Sequence, residues 1–297
     1  MRSTNKRPGA VSVSMFKQWA MLVVITLLGL AACHTTFAAC TPPPSGLVGW
    51  WQAEGNYTDS ISGSNGVVYP GVSFAPGAVG QCFSFTAVGA SIMNTNTPPL
   101  TNIQNTFTME FWAYPQKGIT LLPQGGGAGT SGQNYAIFPN FASVDQTIAG
   151  AGVSVGTNGI CVIEHTDGYM PSLLSYTNPI IGWVHVAVVY TNKQPSLYLN
   201  GVKVKTGATS TRAVVYPSKN LGNAYGTSVW LGYGPYLGLL DEVSIYNRAL
   251  ASNEITAIYA ADGAGKCFTP TPPVITSQPA SRTNIAGSTA SFSVLYN

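Results

Sequence analysis

The stretch WVHVAVVYTNKQPSLYLNGVKVK, Trp183–Lys205, decides the fold of this chain. Residues 183–190 are mainly β-branched and aromatic, and both faces of the strand they predict are largely apolar, which is typical of a central strand covered on both sides. Asn200-Gly201 lies between two alternating runs and predicts a two-residue hairpin turn. Such a turn pairs two residues on each side of it, Leu199 with Val202 and Leu197 with Val204. The pattern predicts an antiparallel β-sandwich.

The composition agrees with an exported all-β protein. The chain has 297 residues, of which 8% are charged and 11% aromatic, with 33 Gly and 20 Pro. This length suits one large β domain with a short addition, and the low charge disfavours long solvated helices. Four of the 13 Lys and Arg lie in residues 1–39 and none of the 10 Asp and Glu does, so nine cations face ten acids in the remainder. A net charge of −1 without a basic cluster excludes nucleic-acid binding by phosphate neutralisation.

The N-terminus predicts export. Residues 1–19 are polar and basic, and the thirteen apolar or small residues Ala20–Ala32 are too few to span a bilayer but match a secretory signal. Small residues around Ala38 and Ala39 offer cleavage positions, which predicts a signal peptide over 1–39. The alternative is a lipoprotein anchored through Cys33, because Leu30–Cys33 resembles a lipoprotein box. Both interpretations place the mature chain in the secreted or cell-surface fraction, with no transmembrane span.

Four cysteines remain after the leader, at positions 40, 82, 161 and 267. In an exported chain they indicate two disulfides with three connectivities, and their spacing does not match a zinc site. Because the ends of a sandwich domain usually lie close together, we predict the pairs Cys40–Cys267 and Cys82–Cys161. The alternative is buried free thiols.

Further strands and one helix follow from the same patterns. Strands are predicted over 46–53, 67–69, 82–85, 106–114, 159–164, 229–232 and 238–246. Residues 248–260 predict a helix with Ser252 as a candidate cap. We therefore predict a globular domain over 40–267, a Pro-rich linker over 268–273 and two strands within 274–297, which cannot bury a core alone.

Five phrases resemble the LamG-like jellyroll domains of the concanavalin A-like lectin/glucanase superfamily. They are GLVGWWQAEGNYTDSISGSNG (46–66), FAPGAVGQCFSF (74–85), FTMEFWAYP (107–115), GWVHVAVVY…LYLNG (182–201) and GLLDEVSIYNRALASNEITAIY (238–259). The resemblance implies an all-β, two-sheet antiparallel jellyroll sandwich with one short C-terminal helix. Residues 274–297 resemble the start of a bacterial immunoglobulin-like domain. The superfamily contains sugar binders, adhesion modules and glycosidases, so fold alone does not decide function.

The sequence predicts no enzyme. Sandwich glycosidases of this superfamily carry Glu-x-Asp-x-x-Glu on one strand, and nothing here matches that motif. Asp241 and Glu242 are adjacent in a predicted strand and should point to opposite faces. The group Glu164, His165 and Asp167 is interpreted as a solvated strand end. Gly152–Gly156 fits Gly-x-Ser-x-Gly but lacks the strand-to-helix context of a nucleophile elbow. We interpret His185, which alternates with apolar residues, as a core residue.

A structural calcium is implied by the resemblance, because LamG-like relatives often hold calcium between an acidic residue in the first turn-rich segment and another near the last strand. The candidates at those positions are Asp59 and Asp241, with carbonyls of 62–66 as additional ligands. No other cofactor is required. The alternative for Asp59 is a side-chain contact within its own turn.

Aromatic residues in loops are the candidate ligand-binding residues, because their rings can stack on sugars. They are Tyr169, Tyr176, Tyr225, Tyr233 and Tyr236. The resulting hypothesis is an exported non-catalytic recognition module for a glycan or another extracellular partner. The alternatives are a structural spacer in a multidomain surface protein and an accessory domain of a glycosidase.

Overall fold

The computed structural model describes residues 39–63, 65–94, 100–140, 146–223 and 234–267, together with 275–277, 279, 281, 283–289, 291–293 and 295–296. The strands are β1 Leu47–Trp51, β2 Val67–Val68, β3 Val72–Pro76, β4 Gln81–Phe85, β5 Ile92–Met93, β6 Phe107–Pro115, β7 Tyr135–Phe138, β8 Ile148–Gly156, β9 Gly159–His165, β10 Ser172–Tyr176, β11 Val184–Thr191, β12 Gln194–Leu199, β13 Val202–Thr206, β14 Val214–Pro217, β15 Asn220–Leu221, β16 Gly238–Tyr246, β17 Ile275–Ser277 and β18 Leu295–Tyr296. Within the described residues, one α-helix, α1, spans Ser252–Ala260, and single 3₁₀ turns occupy Leu100–Asn102 and Asp262–Ala264.

Two eight-stranded sheets form a jellyroll sandwich, as predicted. The front sheet runs β13-β12-β11-β6-β16-β4-β3, and β1 also pairs with β16. The back sheet runs β10-β9-β8-β7-β15-β5-β2, and β14 also pairs with β8. All these pairs are antiparallel except β14 with β8. One face of the front sheet packs into the core, and the other face packs partly against α1 and carries polar side chains.

The central strand predicted from the opening stretch is confirmed as β11. It lies between β6 and β12, and its residues from Val184 to Tyr190 are buried. Val184, Val186 and Val188 face the core between the sheets, whereas Ala187 and Val189 pack beneath α1. The two apolar faces of β11 therefore pack against two different layers, the back sheet and α1.

The Asn200-Gly201 hairpin turn is also confirmed. Both residues have positive φ, 49° and 79°, as a two-residue turn of the mirror-image type requires. Leu199 pairs with Val202 as predicted, but Leu197 pairs with Lys205 and not with Val204. A register shift after Leu197 places one additional residue in β13, which local alternation does not reveal.

One predicted disulfide forms and the other does not. Cys40 and Cys267 are bonded, with Cα atoms 4.9 Å apart, so the two ends of the domain are joined. Cys82 and Cys161 are buried free thiols, and that predicted pair is wrong. Cys82 lies on β4 of the front sheet and Cys161 on β9 of the back sheet, where its sulfur lies 3.7 Å from Ser175 Oγ. The two thiols therefore lie in different sheets, and each is buried without a disulfide partner.

Several element predictions need correction. Helix α1 begins after Ala251, so Ser252 is its first residue and not its cap; Glu254 instead accepts a hydrogen bond from the Ala251 amide, 2.8 Å. The strand predicted over 229–232 lies outside the described residues. The seven strands β3, β5, β7, β8, β10, β14 and β15 were not predicted. Most are short or rich in Gly and Ser, so they lack a clear alternation.

Candidate functional site

Three of the five predicted ligand-binding tyrosines lie among the described residues, and they have different surroundings. Tyr225 and Tyr233 lie outside the described residues. Tyr236 is fully buried against Phe85, and its hydroxyl donates to the Leu239 carbonyl, 3.1 Å, so its prediction as a stacking residue is wrong. The Arg212 guanidinium stacks over the Tyr169 ring, 3.7 Å from its centre. Tyr176 packs partly against the core. The three tyrosines that the structure describes do not form one binding surface.

Two aromatic residues outside that prediction lie together at the surface. Tyr114 is the penultimate residue of β6 and has 37% of its surface exposed, and partly exposed Trp183 precedes the neighbouring β11. Their ring centres are 5.8 Å apart at an interplanar angle of 76°. Ile181, 91% exposed, is two residues from Trp183. Alternation along β6 and β11 turns both rings away from the core, which forms an angled aromatic surface on the front sheet.

The exposed pair is one end of a longer aromatic tract, which consists of Tyr114, Trp183, Trp112, His185 and Tyr259. Trp112 and His185 are the next outward-facing residues on β6 and β11, and their ring centres are 5.2 Å apart. Tyr259 of α1 covers both, with ring centres 5.8 Å from Trp112 and 6.2 Å from His185. The helix thus fixes the inner half of the tract and leaves its outer half open.

A charge cluster lies at the inner end of the tract and consists of Glu110, His185, Glu242 and Lys266. Lys266 Nζ is 2.8 Å from Glu110 Oε1 and 3.0 Å from Glu242 Oε2, and its side chain is 1% exposed. The other Glu110 oxygen contacts His185 Nε2 at 2.9 Å. Trp50 Nε1 donates to Glu242, 3.0 Å. Lys266 is followed by the bonded Cys267, so an ion pair and a disulfide both hold this segment after α1.

The cluster is arranged for ion pairing. Burial alone would raise the pKa of Glu110, but the Lys266 charge and the His185 contact lower it to about 2. Burial would lower the pKa of Lys266, but the charges of Glu110 and Glu242 raise it above its ordinary value. Burial raises the pKa of Glu242 despite Lys266. We interpret these groups as a structural network, because both acids form ion pairs with the same buried cation, Lys266.

Asp241 and Glu242 do not point to opposite faces as predicted. The register of β16 against β6 shifts between Asp241 and Ser244, and Glu242 has a φ of 55°. This bulge turns both carboxyl groups to the outer side of the front sheet, where Asp241 accepts from the Val79 amide, 2.8 Å, and Glu242 contacts Lys266. The charge of Glu242 helps to raise the pKa of Asp241 to about 8, after burial as the main cause.

The two predicted calcium ligands have different environments. Asp59 is buried in its own turn, where its carboxylate accepts from the amides of Trp50 and Ile61, 2.8 and 3.0 Å, and from the Ser62 hydroxyl, 2.7 Å. No described contact joins it to Asp241. Among the described residues, no group of three or more His, Cys, Asp or Glu side chains is placed to hold a metal ion. The hydrogen bonds of Asp59 agree with the alternative of contacts within its own turn, and the Asp59–Asp241 calcium pair stays a prediction.

Asp241 itself does fit a cation. Its Oδ1 is buried without a hydrogen-bond partner, and the charge of Glu54 adds to the rise in its pKa. The loop from Gly77 to Gly80 is pressed between these acids, since a Cβ at Gly77 would collide with Asp241 and one at Gly80 with Glu54. Hard cations prefer such oxygen ligands. Sequence reasoning identified Asp241 but missed Glu54, which lies just outside the segment searched.

A further buried carboxylate, that of Glu164, lies in an end cluster that also contains Tyr169, Tyr190, Ser210 and Arg212. Glu164 Oε1 accepts from the Tyr190 hydroxyl, 3.3 Å, and Oε2 accepts from Ser210, 2.5 Å, and Tyr169, 3.4 Å. Burial raises the pKa of Glu164 to about 7, although these hydroxyl groups and Arg212 act in the opposite direction. The interpretation of Glu164 as a solvated strand end is wrong, because it is fully buried.

The outer face of the back sheet is covered where β8 passes under a loop. The alternating sequence of β8 places Gly150 and Gly152 on that face, and a Cβ at either position would collide with the backbone of Pro139 or Asn140. Ser154, the centre of the Gly-x-Ser-x-Gly match, lies within this strand and accepts from the Asn134 amide, 2.9 Å. This geometry is that of a covered strand and not of a nucleophile elbow.

Comparisons with known proteins agree with the fold. The family model described as Concanavalin A-like lectin/glucanases superfamily matches residues 89–256, more than half of the chain. Domain 4 of AbnA, a GH43 extracellular arabinanase from Geobacillus stearothermophilus in complex with arabinotriose, is 18% identical with a TM-score of 0.51, over 71% of this chain and 96% of that one. A Trypanosoma rangeli sialidase mutant displaying trans-sialidase activity is 16% identical, with a TM-score of 0.51 over 84% of this chain and 39% of that one. No curated protein matches by sequence.

Among the described residues, no helix has both the length and the apolar character needed to cross a bilayer.

The residues that sequence reasoning missed share one feature. Tyr114 and Trp183 lie on predicted strands, whereas the predicted stacking residues were aromatic residues of loops. Their outward direction was readable from the alternation of TFTMEFWAY and WVHVAVVY, and their exposure depends on where α1 ends.

Proposed function

The chain belongs to the concanavalin A-like lectin/glucanase superfamily, and we propose that it acts outside the cytoplasm as a non-catalytic module that binds carbohydrate through Tyr114 and Trp183. The exposed ring pair carries this proposal. Aromatic side chains offer flat apolar faces to sugar C–H groups, and their polar edges remain compatible with water. An interplanar angle of 76° gives two ring faces that one bent oligosaccharide could contact together.

The position of the pair supports a preformed site. Tyr114 lies on β6 and Trp183 directly precedes β11, the strand paired with β6, and the inner half of the aromatic tract is fixed by Tyr259 of α1. Rigid side chains lose little conformational entropy on binding, so a ring pair held by a sheet favours recognition. The neighbouring structure described as domain 4 of AbnA contains arabinotriose and shares the fold. This likeness makes pentose oligosaccharides a reasonable first probe.

The arrangement of the acids supports a non-catalytic role. Glu110 and Glu242 share Lys266, and Glu164 is enclosed by hydroxyl groups. A glycosidase needs two accessible carboxyl groups on either side of a substrate bond. Export agrees with the Cys40–Cys267 disulfide, because such bonds persist in oxidising compartments.

The experiment is isothermal titration of the mature protein with a panel of soluble polysaccharides and oligosaccharides, including arabinan and arabinotriose. We expect at least one to bind, and Trp183→Ala to weaken that binding about tenfold or more, equivalent to about 1.4 kcal/mol. Tyr176→Ala is the matched control, since Tyr176 is also partly exposed but lies on β10 of the back sheet.

Three results would contradict the proposal. Equal loss of affinity in Trp183→Ala and Tyr176→Ala would remove the assigned surface. No binding to any polysaccharide class would favour the alternative of a structural spacer module. Release of reducing sugar by the purified protein would contradict the non-catalytic assignment, and polysaccharide binding by a chain that also carries a catalytic domain would identify an accessory module of a glycosidase.

A structural calcium ion at Asp241 is a second proposal, and the buried Asp241 Oδ1 without a partner favours it. Asp241 and Glu54 would hold the ion, whose charge would offset the repulsion between their carboxylates. We expect millimolar CaCl2 to raise the melting temperature of the wild-type protein and to leave Asp241→Asn unchanged. Asp59→Asn is the control and should retain the calcium shift. No shift in the wild-type protein would eliminate the site.

A further inference from the structure

The end cluster brings a buried acid together with two segments that cover it. Glu164 stands on β9 of the back sheet, and Tyr190 reaches it from β11 of the front sheet. The turn 166–169 supplies Tyr169, and the loop 207–213 supplies Ser210. One carboxyl group therefore connects both sheets and both covering segments.

The charged groups around Glu164 do not neutralise it. Arg212 is the cation that affects it from the covering loop, but its guanidinium stacks on Tyr169 and its Nη1 donates to the Gln146 carbonyl, 2.6 Å. Arg212 Nε is buried without a partner. Lys193 in the turn after β11 donates to the Arg212 carbonyl, 2.9 Å. Among the described residues, no salt bridge includes Glu164, unlike Glu110 and Glu242.

We propose that Glu164 is a proton-operated latch, whose neutral carboxyl group holds the turn 166–169 and the loop 207–213 over the end of the sandwich and whose ionisation releases them. Hydroxyl groups can rotate to serve a neutral carboxylic acid or a carboxylate, but hydroxyl groups alone do not offset a buried charge. An ionised Glu164 must therefore be hydrated by water or form an ion pair with the Arg212 guanidinium. Both require movement of the loop that carries Ser210 and Arg212.

The raised pKa of Glu164, about 7 through burial, places this change near neutral pH. The covering segments contain hydrogen-bonded amides that can report it. Ala208 N donates to the Leu173 carbonyl, 2.7 Å, Ser210 N to the Lys193 carbonyl, 3.0 Å, and Ala213 N to the Thr147 carbonyl, 2.8 Å. Opening of the loop breaks these bonds and exposes their amides to exchange.

The experiment is hydrogen–deuterium exchange of the full mature chain at pH 6 and pH 8, corrected for the intrinsic pH dependence of exchange. We expect protection in 166–169 and 207–213 to fall about tenfold at pH 8, the change in ionised fraction one unit above the pKa. Protection in α1 should stay constant. Glu164→Gln, which keeps the shape without the titration, should show equal protection at both pH values.

Equal protection of the wild-type segments at pH 6 and pH 8 would overturn the latch, as would an undiminished pH difference in Glu164→Gln. If Glu164→Gln does not fold, the same exchange measurement on Tyr190→Phe tests the proposal. The Tyr190 hydroxyl lowers the pKa of Glu164, so its removal should move the midpoint of loop opening to higher pH. An unchanged midpoint would overturn the proposal.

Discussion

Glu110 and Glu164 are both fully buried glutamates, yet their surroundings give them opposite properties. Glu110 contacts Lys266 and His185 on the outer side of the front sheet, and its pKa falls to about 2. Glu164 contacts hydroxyl groups at the end of the sandwich, and its pKa rises to about 7. Burial acts in the same direction on both, so the direct ion pair between Glu110 and Lys266 decides the difference. A paired acid fastens the fold, whereas an unpaired one makes it sensitive to protons.

The largest expected effect comes from removing the cation. Lys266→Met leaves Glu110 and Glu242 buried without their shared partner, and we expect a loss of about 3–5 kcal/mol in the free energy of unfolding. Urea denaturation at pH 7 measures it. Lys203→Met is the matched control, because Lys203 is exposed on β13 and should change stability by less than about 0.5 kcal/mol. Equal effects of both substitutions would show that ion pairing does not fasten the chain end.

The disulfide tests the same region from the covalent side. Cys40 and Cys267 are 227 residues apart in sequence, and the bond keeps Lys266 beside its acids. We expect Cys40→Ala/Cys267→Ala to lose about 2–5 kcal/mol on urea denaturation. Cys82→Ala, which removes a free thiol, is the comparison for the loss of sulfur alone. A double variant as stable as the wild type would mean that the charge cluster holds the chain end unaided.

The pH dependence should distinguish the two glutamates by sign. The pKa of Glu164 is raised in the folded state from 4.5 to about 7, so its proton stabilises the fold fully below pH 4.5 and this contribution is lost as pH rises toward 7. The wild-type protein should lose up to about 1.4 kcal/mol per pH unit in that window relative to Glu164→Gln. Urea denaturation at a series of pH values measures both proteins.

Glu110 should act on the acidic side. Its pKa is depressed in the folded state from 4.5 to about 2, so its contribution is present above pH 4.5 and is lost as pH falls toward 2. A difference between the wild type and Glu164→Gln that stays constant from pH 4.5 to 7 would contradict the contrast between the two sites.

The smallest effect concerns a single hydroxyl group. Tyr190→Phe keeps the ring that stacks on Phe107, with centres 4.6 Å apart, and removes one donor to Glu164. We expect a loss of about 1 kcal/mol at pH 8, where the carboxylate needs donors, and less at pH 5. Thermal unfolding at both pH values measures the difference. A larger loss at pH 5 than at pH 8 would mean that the hydroxyl serves the neutral acid.

The fold could be read from the sequence because its signals are local. The run Val184–Tyr190 has two apolar faces, and Asn200-Gly201 requires positive φ at both positions, so strand and turn follow from neighbouring residues. The joined ends of the domain could also be predicted, since Cys40 and Cys267 flank it. The bulges after Leu197 and at Glu242 could not, because they depend on the partner strand.

The site depended on contacts distant in sequence. Glu110, His185 and Lys266 meet only after β6, β11 and the C-terminal segment of the domain have assembled. A glutamate within TFTMEFWAY was a readable signal of a buried partner, but nothing local indicates which cation supplies it. Glu164 has the same limitation, because its donors come from three separate segments.

The most direct test of the contrast is a titration of the side-chain carboxyl carbons of Glu110 and Glu164 by ¹³C NMR, with each resonance assigned by the corresponding Glu→Gln variant. We expect Glu164 to titrate near pH 7 and Glu110 near pH 2. Titration of both groups close to their common ordinary value of 4.5 would contradict it.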